Sequence, residues 1–384
     1  MDRFIETTPF FTSTQRALAT HAATFTARDV EPRAAEEEAS LDEHFRVYLN
    51  LLVEAGLLRF AVAVPGQAFD LRSFCIIREA LSYSSSLADL AFVMQGLGTY
   101  PISVAASEHV RDFWLERAAA GKAIGAFALT EVEAGSDVAG IKTTARRDGD
   151  AYVIDGNKRF ISNAGLADFY TVFARTGTRA DGRAELSAFV VGARMAGFSV
   201  RERTQMLAAH PIGEIEFHNC RVPAENMVGA EGDGLRLALQ TLDTFRASVG
   251  AAACGLARRA LDESVSYAKT RQQFGRPLSS HQLIQAKLAD MVTELDAARL
   301  LVYRAAYLKD TDHANRSTLE ASEAKLFATE AAGRIADSAL QIHGGTGLVR
   351  GSVVERIYRD VRALRVYEGT SEIQKLVIAN QLVK

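Results

Sequence analysis

The sequence is short of cysteine, proline and long apolar runs. Only 3 of its 384 residues are cysteine and 7 are proline. Cys75, Cys220 and Cys254 lie far apart and form no CxxC pair, which argues against a disulfide framework or a metal site such as zinc. No apolar stretch is long enough to cross a bilayer, so we predict no membrane insertion. Because proline interrupts helices, its scarcity favours long helices.

The chain also lacks an excess of charge of either sign. It has 44 Lys and Arg residues against 47 Asp and Glu residues, a net charge of −3. That balance gives no general attraction to nucleic acid or to an anionic membrane. Asp2 and Glu6 lie where a secretion signal would carry basic and then apolar residues. We therefore predict a cytoplasmic protein that binds no nucleic acid.

Hydrophobic spacing divides the chain into a helical, a β-rich and a second helical part. The predicted helices comprise residues 15–30, 41–57, 71–81, 87–97, 235–270, 280–309, 317–342 and 371–383, and the β runs comprise 123–129, 151–154, 170–174, 186–191 and 214–217. Pro101 is expected to open a further helix. We predict a mainly α protein with a helical N-terminal domain at residues 1–120, an antiparallel β-barrel or sandwich at 121–231, and a helical bundle at 232–384.

Two loops place polar side chains beside glycine. In residues 367–371, Glu368 precedes Gly369, and glycine lets the backbone bend sharply and approach a ligand closely. In residues 130–137, small and hydroxyl residues follow an apolar strand and could donate to a phosphate or a heterocycle. Each loop also has a simpler interpretation, namely a solvated glutamate before a capped helix and a plain β-turn.

Two further segments could approach a ligand. Gly344, Gly345 and Gly347 follow a long helix, where they either allow close backbone contact or only end the helix. No strand precedes them, so a dinucleotide-binding Rossmann motif is excluded. Residues 271–276 form a cationic turn that could hold a phosphate or face solvent.

The order and spacing of these motifs resemble the acyl-CoA dehydrogenase family over residues 15–379. The resemblance implies a helical N-terminal domain, a β middle domain, a C-terminal four-helix bundle and FAD as cofactor. It implies FAD-dependent oxidation of an acyl thioester, carried by CoA or a carrier protein, to the trans-2-enoyl thioester. It also implies a homotetramer or homodimer, and an electron-transferring flavoprotein as electron acceptor.

The resemblance assigns the role of catalytic base to Glu368. Some family members carry the base at the position of Phe245, which cannot take a proton here. Glu368 would remove the α-proton, its backbone N–H would help hold the thioester oxygen, and burial should raise its pKa. The implied FAD-contacting residues are Phe127, Leu129, Thr130, Gly135, Ser136, Phe160, Ser162, Arg271, Gln273, Phe274, His281, Gln341, Gly344, Gly345, Thr370 and Glu372. The implied substrate-contacting residues are Ser136, Asp243, Arg246 and Gly369.

Several features leave alternatives open. Val132 and Glu133 replace the Pro and Gly of the family's flavin loop, and residues 206–211 lack its small-residue and Arg pattern. An acyl-CoA oxidase that passes electrons to oxygen, or a non-catalytic flavoprotein-like subunit, therefore remain alternatives. Asp243 and Arg246 could form an ordinary helix ion pair. Residues 82–98 contain no Arg or Lys that could form an ion pair with a second, distal carboxylate on the substrate. Asp89 in that stretch is expected to be exposed.

Overall fold

Six helices precede the sheet in the computed structural model, which describes residues 2–63, 65–312 and 317–383. They are α1 (Arg3–Thr7), α2 (Ser13–Phe25), α3 (Leu41–Glu54), α4 (Leu71–Ser84), α5 (Ser86–Ala105) and α6 (Glu108–Ala119). A π-helical turn at Thr26–Val30 continues α2. The four helices predicted in this part are confirmed, and they pack into one apolar core with residues of the sheet and of the later helices.

Pro101 lies inside α5, so the prediction that it opens a new helix is wrong. Every residue of α5 from Leu87 to Ile102 is buried. This burial keeps the segment helical although proline lacks the N–H of one helical hydrogen bond. The helix ends at Ala106, which is extended and donates its N–H to the carbonyl of Ile102.

One eight-stranded sheet follows α6. Its strands are β1 (Gly125–Ala128), β2 (Thr144–Asp148), β3 (Ala151–Ser162), β4 (Phe169–Thr178), β5 (Ala184–Gly192), β6 (Phe198–Arg203), β7 (Ile212–Pro223) and β8 (Met227–Val228). Their order is β6-β7-β3-β2-β4-β5-β8, and β1 pairs with β4.

The sheet is mixed and, over the strands that the structure describes, does not close into a barrel. β1 and β2 both run parallel to β4, with Gly125 opposite Phe169 and Thr144 opposite Arg175. Of the predicted antiparallel β-barrel or sandwich, the closed barrel and the wholly antiparallel pairing are therefore wrong, whereas a β-sheet domain in a mainly helical protein is confirmed. The parallel pairing is possible because no tight turn joins the parallel partners: the chain passes through β3 between β2 and β4, and through β2 and β3 between β1 and β4.

Long helices make up the rest of the chain. They are α7 (Gly234–Thr270), α8 (Gln282–Thr311), α9 (Thr318–His343), α10 (Val353–Leu364) and α11 (Ser371–Leu382), and a small hairpin of β9 (Gln272–Gln273) and β10 (Arg276–Pro277) joins α7 to α8. α7 packs against α8, α9 and α4, so a helix from the first part of the chain completes the packing around it. α10 was not predicted from the sequence.

No helix in the described ranges combines the length and apolarity needed to span a membrane. All three cysteines are free and buried. This agrees with the sequence argument against a disulfide framework. The loop between α10 and α11 faces α9, and there it brings Glu368 next to buried charges.

Candidate active site

A strained turn between α10 and α11 presents Glu368. Its φ is +52°, a value that side-chain-bearing residues adopt rarely, and Gly369 follows with φ +91°. Gln374 Nε2 donates to the carbonyl oxygens of Glu368 (3.2 Å) and Gly369 (3.0 Å). Thr370 Oγ1 accepts from the N–H of Ile373 (3.3 Å) and caps α11. The turn is therefore fixed by its own first helical residues.

The carboxyl group of Glu368 has no fixed partner. Its Oε2 is buried and makes no hydrogen bond among the described residues. Burial raises the pKa of Glu368, while the nearby positive charges of Arg78, Lys325 and Arg246 pull that pKa down and Asp89 raises it. A carboxyl group with a raised pKa and a free oxygen is suited to taking up a proton.

Lys325 supports this turn from α9. Its Nζ donates to the carbonyl oxygen of Gly369 over 2.7 Å. The side chain is fully buried, and this burial lowers the pKa of Lys325 to about 8. Lys325 was not predicted from the sequence; its signal is a single charged residue on a buried face of α9 that consists mostly of alanine.

Arg78 and Asp89 form a buried ion pair next to the Glu368 turn. Arg78 Nε and Nη2 donate to Asp89 Oδ1 (2.8 Å) and Oδ2 (2.6 Å), and Nη1 donates to Ser248 Oγ (2.9 Å). Both side chains are buried, so the expectation that Asp89 is exposed is wrong. Its partner lies on α4, outside the stretch searched for a basic residue, and their pairing makes the burial of both charges possible.

Asp243 and Arg246 do form a helix ion pair, but it is partly buried and tied to α9. Arg246 Nη1 donates to Asp243 Oδ1 (2.6 Å) and Ser322 Oγ (3.3 Å), and Thr318 Oγ1 donates to Asp243 Oδ2 (3.0 Å). The Nε of Arg246 is buried and has no partner in the described part of the chain. This leaves one N–H of the Arg246 guanidinium, near Glu368, that no described residue satisfies.

Phe245 precedes Arg246 on α7 and lies in an aromatic cluster. Its ring is fully buried and packs against Phe69, Phe74 and Tyr100, with ring centroids 5.1 to 5.6 Å away. An aromatic ring at this position cannot exchange protons, so Glu368 has no competing carboxylate there.

Two predicted FAD-contacting segments meet on the sheet. The N–H of Arg159 donates to the carbonyl of Thr130 (2.9 Å), and buried Lys158 donates to the carbonyl of Leu129 (3.1 Å) and to Glu131 (2.7 Å). The loop after β1 is therefore joined to the end of β3. Gly135 and Ser136 are exposed on that loop, whereas Leu129 is buried and Phe127 is half-buried against Phe173.

Phe160 and Ser162 complete this surface. Phe160 has a φ of +54° and is 46% exposed, so the end of β3 turns its ring outward. Ser162 Oγ lies 2.8 Å from His210 Nε2 in the loop between β6 and β7. The altered residues Val132 and Glu133 are exposed in a closed turn, where Glu133 pairs with Lys142, and they do not disturb the buried anchor at Glu131.

The remaining predicted residues lie at the far end of the helices. Arg271, Gln273 and Phe274 are exposed on the hairpin, and Phe274 is 94% exposed. His281 Nε2 lies 3.2 Å from the carbonyl of Gln273. Gln341, Gly344 and Gly345 are exposed at the end of α9, beside His343, which stacks on Tyr267 at 4.3 Å.

A single chain does not bring all the predicted FAD residues together. Gln341 lies 16 positions beyond Lys325 on α9, which is about 24 Å along a helix that rises about 1.5 Å per residue. The hairpin and glycine-rich residues are therefore distant from the Glu368 turn. Thr370 and Glu372, by contrast, lie next to Glu368, and Glu372 is exposed in the first turn of α11.

Comparison with known proteins places this geometry in context. The chain matches the three family models described as acyl-CoA dehydrogenase N-terminal domain (residues 12–122), middle domain (126–220) and C-terminal domain (232–383). It is 37% identical over 383 residues to a 3-(aryl)acrylate reductase of Clostridium sporogenes, covering 98% of this chain and 100% of that protein.

Solved structures agree with these matches. A chain of the structure described as the electron-transferring flavoprotein of Acidaminococcus fermentans has a TM-score of 0.90 and 33% identity, covering 97% of this chain and 99% of that one. An acyl-CoA dehydrogenase complexed with FAD from Bacillus anthracis has a TM-score of 0.88 and 32% identity, covering 97% of this chain and 67% of that one.

Proposed function

Because this chain belongs to the acyl-CoA dehydrogenase family of FAD-dependent oxidoreductases acting on CH–CH donors, we propose that it oxidises an acyl-CoA to the trans-2-enoyl-CoA with Glu368 as the base. The observation that carries the proposal is the buried Oε2 of Glu368, which lacks a partner on a turn that holds its backbone firmly. A carboxylate with these properties can accept a proton without first breaking a hydrogen bond.

The residues present fit FAD as the cofactor. The outward ring of Phe160 offers an aromatic surface for a flavin, and the polar loop that starts at Thr130 adjoins it. The chemistry that FAD would supply when bound is that of a hydride acceptor for the β-hydrogen of the substrate. Thr130, Ser136, Phe160 and Ser162 on this surface, together with Thr370 beside Glu368, are the residues that would hold it.

The protein groups around Glu368 would do the remaining work. Glu368 takes the α-proton at its carboxyl oxygen. Among the described residues nothing accepts a hydrogen bond from the N–H of Glu368, so this donor is available for the thioester oxygen. The unpartnered Nε of Arg246, next to Asp243, is suited to a polar group on the CoA arm.

A second copy of the chain would complete the FAD site. Arg271, Gln273 and Phe274 are exposed just beyond α7, and Arg271 lies 25 positions after Arg246, roughly 38 Å along a helix that rises about 1.5 Å per residue. We therefore retain the homotetramer or homodimer as a prediction, with these residues and His281, Gln341, Gly344 and Gly345 serving a neighbouring copy. An electron-transferring flavoprotein as acceptor and a cytoplasmic location also stay predictions.

The test is anaerobic titration of the purified protein with a panel of acyl-CoA and carrier-bound acyl substrates. We expect a yellow protein whose flavin absorbance is bleached by at least one acyl-CoA, with the trans-2-enoyl product formed in equal amount. A yellow protein that no acyl thioester bleaches would contradict the proposal. Hydrogen peroxide formed in air in proportion to product would instead support the acyl-CoA oxidase alternative.

A further inference from the structure

The loop between β6 and β7, which departs from the family pattern, carries His210 onto Ser162. His210 Nε2 lies 2.8 Å from Ser162 Oγ, although the two residues are 48 positions apart. Ser162 is the last residue of β3, two positions after the outward-facing Phe160. The Ser162–His210 pair therefore stands on the surface that we assign to FAD.

Contacts from two elements hold this loop in place. The N–H of Asn163 donates to the carbonyl of Pro211 (2.8 Å), directly after His210. Arg359 on α10 donates from Nη1 to the carbonyl of Leu207 (2.9 Å). Hydrogen bonds to the carbonyls of Leu207 and Pro211 thus fix the backbone on both sides of His210.

The His210 imidazole can either donate a hydrogen bond to the Ser162 hydroxyl or accept one from it. A neutral histidine donates or accepts at Nε2 according to which nitrogen carries the hydrogen. Within the described residues, Nδ1 of His210 has no hydrogen-bond partner that would fix this choice. Burial lowers the pKa of His210 to about 4, so the ring is neutral at ordinary pH. Ser162 can therefore accept from His210 and donate elsewhere, or donate to His210 and accept elsewhere.

We propose that His210 is a positioning residue of the FAD site, which holds the Ser162 hydroxyl and, by donating to it or accepting from it, lets that hydroxyl donate to or accept from the flavin. The proposal rests on the proposed function, since that function places FAD on this surface. A flavin ring nitrogen accepts hydrogen bonds in the oxidised cofactor and carries a hydrogen in the reduced cofactor. Because the neutral imidazole can donate to Ser162 or accept from it, the hydroxyl can form a hydrogen bond with either redox form. Loss of the imidazole should weaken these two hydrogen bonds unequally and so change the relative stability of the oxidised and reduced forms.

The test is a double-mutant cycle on the reduction potential and visible spectrum of bound FAD. The proteins are wild type, His210→Phe, Ser162→Ala and the double variant, reduced chemically in the presence of a reference dye. We expect each single substitution to shift the potential. The double variant should match Ser162→Ala alone, because His210 acts through Ser162.

Two further variants sharpen the comparison. His218→Phe, at an exposed position of β7, is the matched control and should leave the potential unchanged. His210→Gln keeps a donor and an acceptor beside Ser162 and should lie close to wild type. If His210→Phe does not retain FAD, the test uses the reduction potential of FAD bound to His210→Gln. A potential near that of the wild type supports the proposal. A potential shifted as far as that of Ser162→Ala contradicts it.

The proposal is overturned if His210→Phe leaves the potential unchanged, or shifts it equally whether residue 162 is Ser or Ala. These outcomes are separable from failure of the proposed function. The chemical reductant reduces FAD without any acyl-CoA, so the cycle gives its result even in a protein that no acyl thioester bleaches.

Discussion

Lys325 Nζ donates a 2.7 Å hydrogen bond to the carbonyl oxygen of Gly369, the residue that follows Glu368. A fully buried ammonium group thus holds the turn that presents the proposed base, and its charge lies close enough to lower the pKa of that base. The same side chain therefore has a structural and an electrostatic effect, and substitution can separate the two.

Lys325→Met should move the activity profile to higher pH. The substitution removes a positive charge beside Glu368, which disfavours the carboxylate and raises its pKa further. The measurement is the rate of flavin bleaching by acyl-CoA against pH. We expect the acid limb to shift upward, whereas Lys325→Arg, which keeps the charge, should stay near wild type. A lower rate with an unmoved acid limb would limit Lys325 to holding the turn.

Asp89→Asn should destabilise the fold and shift the pH profile of activity to lower pH. Arg78 would keep its charge in a buried place without a counter-charge, which costs about 3–5 kcal/mol of unfolding free energy. Its uncompensated charge should lower the pKa of Glu368 and move the acid limb to lower pH. Asp148→Asn, which breaks an exposed pair with Arg221, is the control and should cost about 0–1 kcal/mol. Equal costs in chemical denaturation would show that the buried pair is not special.

Glu37→Gln should flatten the dependence of stability on pH. Burial raises the pKa of Glu37 from 4.5 to about 7, with Ser85, Tyr48, Asp360 and Arg356 around it. Between these two values the folded protein holds a proton that the unfolded chain has released, so stability falls as pH rises from about 4.5 to 7.

In the wild type, this one group should lower the free energy of unfolding by about 1–3 kcal/mol as the pH rises. The amide of Glu37→Gln does not titrate, so the variant should not show this decrease. Chemical denaturation at pH 5 and pH 8 measures the difference. Glu43→Gln, at an exposed position of α3, should behave as wild type. An unchanged slope in Glu37→Gln would contradict the raised pKa.

Gly255→Ala should destabilise the contact between α7 and α4. A Cβ at this position would press against Ser82 Oγ and the carbonyl oxygen of Glu79, closer than van der Waals contact. We expect a loss of about 1–3 kcal/mol, the usual cost of overpacking. Gly333→Ala in α9 is the matched control, because its nearest neighbour is 3.8 Å away, and it should gain about 0.5–1 kcal/mol. Denaturation midpoints that move in the same direction for both would refute the close approach.

The sequence predicts the parts of the fold that have a clear hydrophobic period. α7 is one example: its predicted start at residue 235 lies one position from the observed start at Gly234. β2 and β6 were missed because their side chains are mostly exposed and charged, so no alternation marks them. The prediction that Pro101 opens a new helix is wrong because the burial of α5 outweighs the local helix-breaking effect of proline.

Some residues of the candidate site have a local sequence signal and others do not. Glu368 stands out because it precedes glycine and a helix cap, and these are local signals. Lys325, Arg78 and His210 carry no local signal, since each acts on a residue 43 or more positions away in the chain. Only the packing of α4, α9 and the β6–β7 loop brings them to the site.

The most direct test of the account compares Glu368→Gln with Glu116→Gln, an exposed position on α6. Rapid mixing with a reactive acyl-CoA, without oxygen, measures the rate of flavin bleaching in each FAD-loaded protein. We predict that Glu368→Gln retains FAD and loses at least about a thousandfold in rate, as expected when a general base is removed, while Glu116→Gln bleaches like wild type. Bleaching of Glu368→Gln at the wild-type rate would contradict the assignment of Glu368 as the base.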